Sequence, residues 1–385
     1  MTKKTGLLIL ISYGAIVSLG CTGISSGVRD VLTLPVGDAE RSNQRVAVQV
    51  DTVVNTLSGN ALSPQALSEY LTAARLVLVA EQHTSLEDHR IQLRVLELLQ
   101  EAQRPLVIGL EMFVVDNQPT LDAWVAGQLT EAEFVEQSDW YSTWGYHWGY
   151  YREILLFARA HAIPLVGLRG LSEVLTESGA SPDLSSQDHR TLFSAFFGTD
   201  DPVHGGLPED QLEALFVAQC RRDAVMAFHA AEALKAHPEA TLVVLAGAGH
   251  VVYELGIARQ IAEWYSGPAT TIVPVSVQSP ETRVQASVGD FAWGVPGATD
   301  PAFPSLGAIS VSVDEGLHVI HVNPDSTAER GGLEPGDILT HFKDTAIAAS
   351  SDLNRILATV EWGDEAPLVI RRDGTPEEIT LTFRR

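Results

Sequence analysis

The sequence predicts an α/β protein with a mainly parallel sheet flanked by helices, followed by a small β-rich domain. Two observations carry this. Over residues 46–296, short β-branched runs alternate with longer helical patterns, the signature of a parallel sheet covered on both faces. From about residue 307 the pattern changes to short strands, tight turns and a single helix. The chain has 385 residues, long enough for two such domains.

Each element follows from local chemistry. Arg75–Ala80 (RLVLVA) is continuously apolar and reads as a strand buried on both faces. Ser85 caps the next helix, with Asp88 three residues on. Ile91, Val95, Leu98 and Leu99 give that helix an apolar stripe. Pro105–Leu110 is a second strand, Thr130 and Glu133 form a capping box, and Tyr150–Ala162 is helical. Pro164–Leu168 is a third strand, residues 208–236 a long helix, Thr241–Ala246 a fourth strand and Thr270–Val277 a fifth. Residues 297–306, rich in Pro and Gly, read as a linker ahead of a domain over 307–385.

Charge and composition exclude some functions. With 49 acidic against 25 basic side chains, the formal net charge is −24. A nucleic-acid binder needs a basic footprint, so no nucleic-acid partner is expected. Two cysteines cannot build a disulfide framework or a four-cysteine zinc site. Cys220 falls in the long helical stretch and reads as an inert core thiol.

The first 21 residues have the parts of an export signal. Lys3 and Lys4 precede an apolar run, Leu7–Leu19, shorter than the roughly 20 residues of a spanning helix. Gly20-Cys21 then resembles the end of a bacterial lipoprotein signal, although Ser18 stands where such signals carry leucine. The resemblance implies that Cys21 is lipidated, that polar residues 22–45 are a tether, and that the protein sits in the cell envelope, anchored by lipid to the outer membrane on its periplasmic side or surface. An ordinary cleaved signal or a retained anchor is the alternative.

In open α/β sheets ligands bind outside the carboxyl ends of the strands. Glu81-Gln82-His83 follows the first predicted strand, Glu111 the second, Arg169 the third and Gly247-Ala248-Gly249-His250 the fourth. Glu81, His83, Glu111 and His250 therefore converge on one rim. Carboxylates and imidazoles are divalent-metal ligands, or acid–base groups, with Glu81 and Glu111 as candidate catalytic residues of a hydrolase. Satisfied structural polar groups are the bland alternative. A second feature is residues 140–151, which hold three of the chain's seven tryptophans and four of its eight tyrosines. Such a surface suits a planar ligand such as a porphyrin, with His147, Tyr150 or Tyr151 as axial iron ligand and Trp144 alongside. Packing of the loop against the sheet is the competing explanation.

In this order, AEQH (80–83), HRIQLRVLELL (89–99), PLVIGLEMF (105–113), the tryptophan run (140–152), RRDAVMA (221–227) and LAGAGHVVYELGI (245–257) resemble the ChaN-like haem-binding uptake family of the Tiki/TraB-like superfamily. The resemblance implies a bacterial lipoprotein tied to haem or iron acquisition. It also implies His83, Glu111 and His250 as site residues, with Asp223 orienting a ligand. Some members of the superfamily are metal-dependent peptidases, so that activity is carried as an alternative. Ala80 stands where the family pattern has glycine.

Residues 305–309 (SLGAI), 323–339 (NPDSTAERGGLEPGDIL) and RRDG (371–374) resemble an HtrA-type PDZ domain. This implies that a protein C-terminus or peptide adds as a strand, its carboxylate met by amides near Leu306, Gly307, Ala308 and Ile309. Leu353 and Leu357 of the Ser350–Val360 helix would wall the groove. Three functions remain open: a haem- or iron-binding envelope lipoprotein with a peptide-binding module, a metal-dependent hydrolase, and a PDZ adaptor whose α/β domain is inert. A homodimer also remains open.

Overall fold

The computed structural model describes residues 31–196, 208–297 and 301–385. The expected signal, with Cys21, lies outside the described residues. The chain divides into two compact units, one ending at Phe303 and one running from Pro304 to Arg384.

The first unit contains strands β1 (Arg45–Ala47), β2 (Val53–Asn55), β3 (Ala61–Leu62), β4 (Leu76–Glu81), β5 (Leu106–Val114), β6 (Leu165–Arg169), β7 (Thr241–Gly247), β8 (Ala269–Val277), β9 (Arg283–Gln285) and β10 (Phe291–Pro296). Eight of them form one sheet in the order β3-β2-β10-β8-β4-β7-β5-β6. The six strands from β10 to β6 pair in parallel, and β2 and β3 add an antiparallel edge. The fold class is the expected one. Successive side chains leave a strand on opposite faces. Val77 and Val79 enter one core, while Leu76, Leu78 and Ala80 enter the other. Both faces are buried, which is why the run reads as continuously apolar.

Strand β7 sits between β4 and β5, with Glu81 in register with Gly247. The carboxyl ends of three strands distant in sequence thus lie side by side. Strand β5 runs further than the apolar run suggested and contains Glu111 within it.

Residues 31–45 are a correction to the tether. Leu34 and Val36 are buried, and β1 pairs with β9. The Tyr253 hydroxyl donates to the Val31 carbonyl at 2.7 Å and accepts from the Leu34 amide at 3.0 Å. Burial of these two apolar residues, with the strand pairing and the Tyr253 hydrogen bonds, holds the segment on the core.

The second unit is an antiparallel sheet of β11 (Ala308–Val313), β12 (Gly316–Val322), β13 (Ile338–Phe342), β14 (Thr345–Ala346), β15 (Glu365–Arg372) and β16 (Thr375–Thr382). Its order is β11-β12-β13-β15-β16, with β14 on β13, so β11 is an edge strand. Its core includes Leu317, Leu339, Phe342, Leu368 and Phe383. Leu306 and Leu353 are also buried in that core, whereas Ala308, Ile309 and Leu357 are half-buried. Leu353 therefore packs the domain and is not an open groove wall. Gly307 has φ +74°, and a Cβ there would stand 2.4 Å from Ser326 Cβ, so the loop ahead of β11 needs glycine on both counts.

Among the described residues no helix is long and apolar enough to cross a membrane.

Candidate functional site

Glu81 ends β4 with its side chain wholly buried, and both of its carboxylate oxygens have hydrogen-bond partners. Oε1 accepts the Tyr151 hydroxyl at 2.6 Å and lies 2.8 Å from His83 Nδ1. Oε2 accepts Gln92 Nε2 at 2.8 Å, with His89 Nε2 at 3.2 Å. His89 and Gln92 are three apart on the helix Leu86–Glu101, so one helix face delivers both. Ser85 caps that helix through its hydroxyl, which accepts the Asp88 amide. Burial pushes the Glu81 pKa up. The charges of His89 and His83, with their hydrogen bonds, outweigh it and hold the group well below the usual carboxylate range.

Glu111 stands on the other side of β7. Its Oε2 accepts the Gly247 amide at 2.7 Å, and its Oε1 lies 3.2 Å from His250 Nε2. His250 Nδ1 is 2.5 Å from Asp223 Oδ1. Asp223 comes from the helix Glu209–Ala236 and is wholly buried. Burial pushes the His250 pKa down, but the charges of Glu111 and Asp223 prevail and bring it to about 10. Burial raises Glu111, yet His250, His83 and the Gly247 amide bring it to about 2. With both carboxylates able only to accept, the imidazolium donates from both nitrogens. His250 is thus fixed as a charged bridge.

Gly247 lets the two clusters meet. A Cβ there would stand 2.7 Å from His83 Cε1 and 3.5 Å from Glu111 Oε2. Only glycine allows the His83 ring to lie across the end of β7.

The aromatic loop folds over this rim. Trp144 and Tyr146 lie against His83, with ring centroids at 4.8 and 5.0 Å. Arg169, at the end of β6, ties loop to sheet. Its guanidinium donates to the carbonyls of Glu111, Met112 and Thr143 at 2.7–2.8 Å and lies over the Trp144 ring. Burial lowers its pKa to about 10. The tryptophans do not share one helix. Trp140–Thr143 is a short helix, Gly145 turns the chain at φ +86°, and Trp148–Tyr150 is a 3-10 turn. Trp140 and Trp148 are core residues. Trp148 Nε1 and Arg152 Nε both donate to Glu131 Oε1, which pins the far end of the loop.

The predicted cofactor residues separate. Tyr151 has no exposed surface and donates to Glu81, so as an axial ligand it is corrected: it braces the rim from below. Trp144 is buried against His83. His147 and Tyr150 form another face. The His147 ring is stacked on Phe303 at 3.8 Å and 17°, and its Nδ1 accepts the Gly149 amide. Tyr150 meets Phe303 edge-on at 4.9 Å. The phenyl ring of Phe303 covers this face of His147. Glu81, predicted as a metal ligand and catalytic base, has both oxygens committed, and this too is a correction. Among the described residues no group of three or more His, Cys, Asp and Glu is arranged to hold a metal ion. Cys220 is buried, and burial pushes its thiol up to about 12, the inert state expected of it.

Sequence reasoning missed His89, Gln92 and Phe303. His89 and Gln92 carry a signal in hindsight: two polar residues at i and i+3 bordering the apolar stripe Ile91-Val95-Leu98.

A parallel α/β domain with acid–histidine pairs at the carboxyl rim of its sheet and an aromatic loop across them is followed by a separate β-rich module. The chain belongs to the ChaN family, described as haem-binding uptake within the Tiki superfamily, which matches residues 67–261; residues 304–383 match the PDZ domain. ChaN of Campylobacter jejuni, solved to show cofacial haem binding, is similar in fold, with a TM-score of 0.51 at 18% identity over 64% of this chain and 98% of its own. A probable periplasmic serine protease of Haemophilus influenzae (do/HhoA-like) is 34% identical over 77 residues, and the periplasmic endoprotease DegQ of Escherichia coli 30% over 76. These matches cover 20% of this chain but only 16% and 17% of the relatives' own lengths, so the likeness is to one module.

Proposed function

We propose that this protein is an envelope haem-binding protein in haem or iron acquisition, with a PDZ module that takes the C-terminus of a protein partner. The observation that carries the haem reading is the flat face of His147, seated beside Tyr150 at the edge of the loop that roofs the strand ends. His147 and Tyr150 would hold the porphyrin, and haem would supply the iron. The remaining residues position these two: Glu131 fixes the loop through Trp148 and Arg152, and Arg169 fixes it to the sheet. In the second unit, the free edge of β11 and the amides from Leu306 to Ile309 receive the peptide. The periplasmic relatives of this module support an envelope location, with Cys21 as the lipid attachment point ahead of the described residues.

Titration with hemin tests the reading. A Soret shift with a stoichiometric endpoint is expected, and a shift no larger than that of an unrelated acidic protein overturns it. A divalent-metal hydrolase would have to rest on His83, Glu111 and His250, since Glu81 has no oxygen to offer. Metal content of protein purified without chelator, with peptidase assays of His83→Ala and His250→Ala, separates that alternative from haem binding.

A further inference from the structure

Phe303 is the last residue of the first unit, and three features hold it on the aromatic loop. Its ring lies flat on His147 and edge-on to Tyr150. The Tyr150 hydroxyl takes backbone hydrogen bonds from Ala302 and Phe303. Beneath the ring is Gly149, where a Cβ would stand 2.3 Å from Phe303 Cζ and 2.8 Å from Cε1. Gly149 has no positive φ, and the space a Cβ would take is filled by the Phe303 ring and by His147 Nδ1, 2.9 Å from the Cβ position. Backbone, loop sequence and ring therefore all favour the same seat.

A flat ring at stacking distance on an imidazole is the contact a planar ligand would make. We propose that Ala302–Phe303 is an aromatic strap that occupies the planar-ligand seat of His147 and Tyr150 in the ligand-free protein, and that a porphyrin-class ligand enters by displacing Phe303. This rests on the haem reading for the identity of the ligand. A seat that is filled most of the time lowers apparent affinity by the fraction of time it is open. The strap thus tunes affinity by competing with the ligand for the rings of His147 and Tyr150.

The test compares full-length wild type, Phe303→Ala and Phe303→Leu. Hemin titration should give an apparent Kd about three- to tenfold lower for Phe303→Ala, with Phe303→Leu between the two. Without ligand, the His147 ring protons should be shielded in wild type by the stacked phenyl ring and move downfield in both variants, which reads the strap independently of hemin. Equal hemin affinity in wild type and variants overturns the strap and leaves the haem reading standing. Weaker binding by the variants makes Phe303 part of the ligand seat and also overturns it. Absence of hemin binding in all three proteins overturns both the haem reading and the strap as a guard. Phe303→Leu retains apolar volume, so the comparison holds if the alanine variant folds poorly.

Discussion

Glu81 and Glu111 are the same side chain on either side of one strand, yet their surroundings give them different work. Glu81 has a side-chain exposure of 0% and is met by a phenol, an amide and two imidazoles. Glu111, at 8%, is met by one backbone amide and one imidazole that a second carboxylate holds from behind. A carboxylate with donors on both oxygens and no exposed surface anchors the fold. One with fewer partners, though also buried, is held less completely. The lesson is that strand-end position alone does not distinguish an anchor from a less completely held group; the count of donors around it does.

The largest test of this contrast is Glu81→Ala. It leaves a buried phenol, a buried amide and the partly exposed His83 ring without their acceptor, and the buried His89 ring without its carboxylate neighbour, and should cost about 3–5 kcal/mol in urea unfolding. A loss under about 1 kcal/mol would mean Glu81 is no anchor. Glu111→Gln keeps shape and one hydrogen bond, and should cost less, about 1.5–3 kcal/mol by the same measurement. If the two losses are equal, the contrast disappears.

The pH dependence sharpens it further. The His250 pKa is raised from 6.5 to about 10 in the folded protein. Its contribution to stability is full below 6.5 and is lost as pH rises through 10. The stability gap between wild type and His250→Gln should therefore shrink between pH 6.5 and 10. Glu111 is lowered from 4.5 to about 2, so its contribution is full above 4.5 and is lost as pH falls through 2. A gap that grows with pH would show that His250 is not a charged bridge. Smallest is Leu171→Ser, next to the Arg169 end of β6. Leu171 is 76% exposed, and the change should stay within about 0.5 kcal/mol.

Five of the six parallel strands were legible, β10 (Phe291–Pro296) being the exception, because burial on both faces demands unbroken apolar runs, and Arg75–Ala80 and Thr241–Ala246 are such runs. The antiparallel additions were not. Val53–Asn55 and Ala61–Leu62 are too short to carry a period. Leu34 and Val36 were hidden in a polar stretch. Tyr151 was legible as an aromatic residue in a conspicuous run, but not as the donor to Glu81, seventy positions away.

Chemical inventory is local, and so the acidic balance, the apolar strands, the strand-end Glu and His residues and the two family patterns can all be read along the chain. Which of these groups meet depends on strand order. Inserting β7 between β4 and β5 brings Glu81, Gly247 and Glu111 side by side, and a long helix returns Asp223 to His250. Partner counts and buried area exist only once those distant segments have packed. Folding therefore made one carboxylate an anchor, left its buried neighbour with fewer donors, and laid Phe303 on His147.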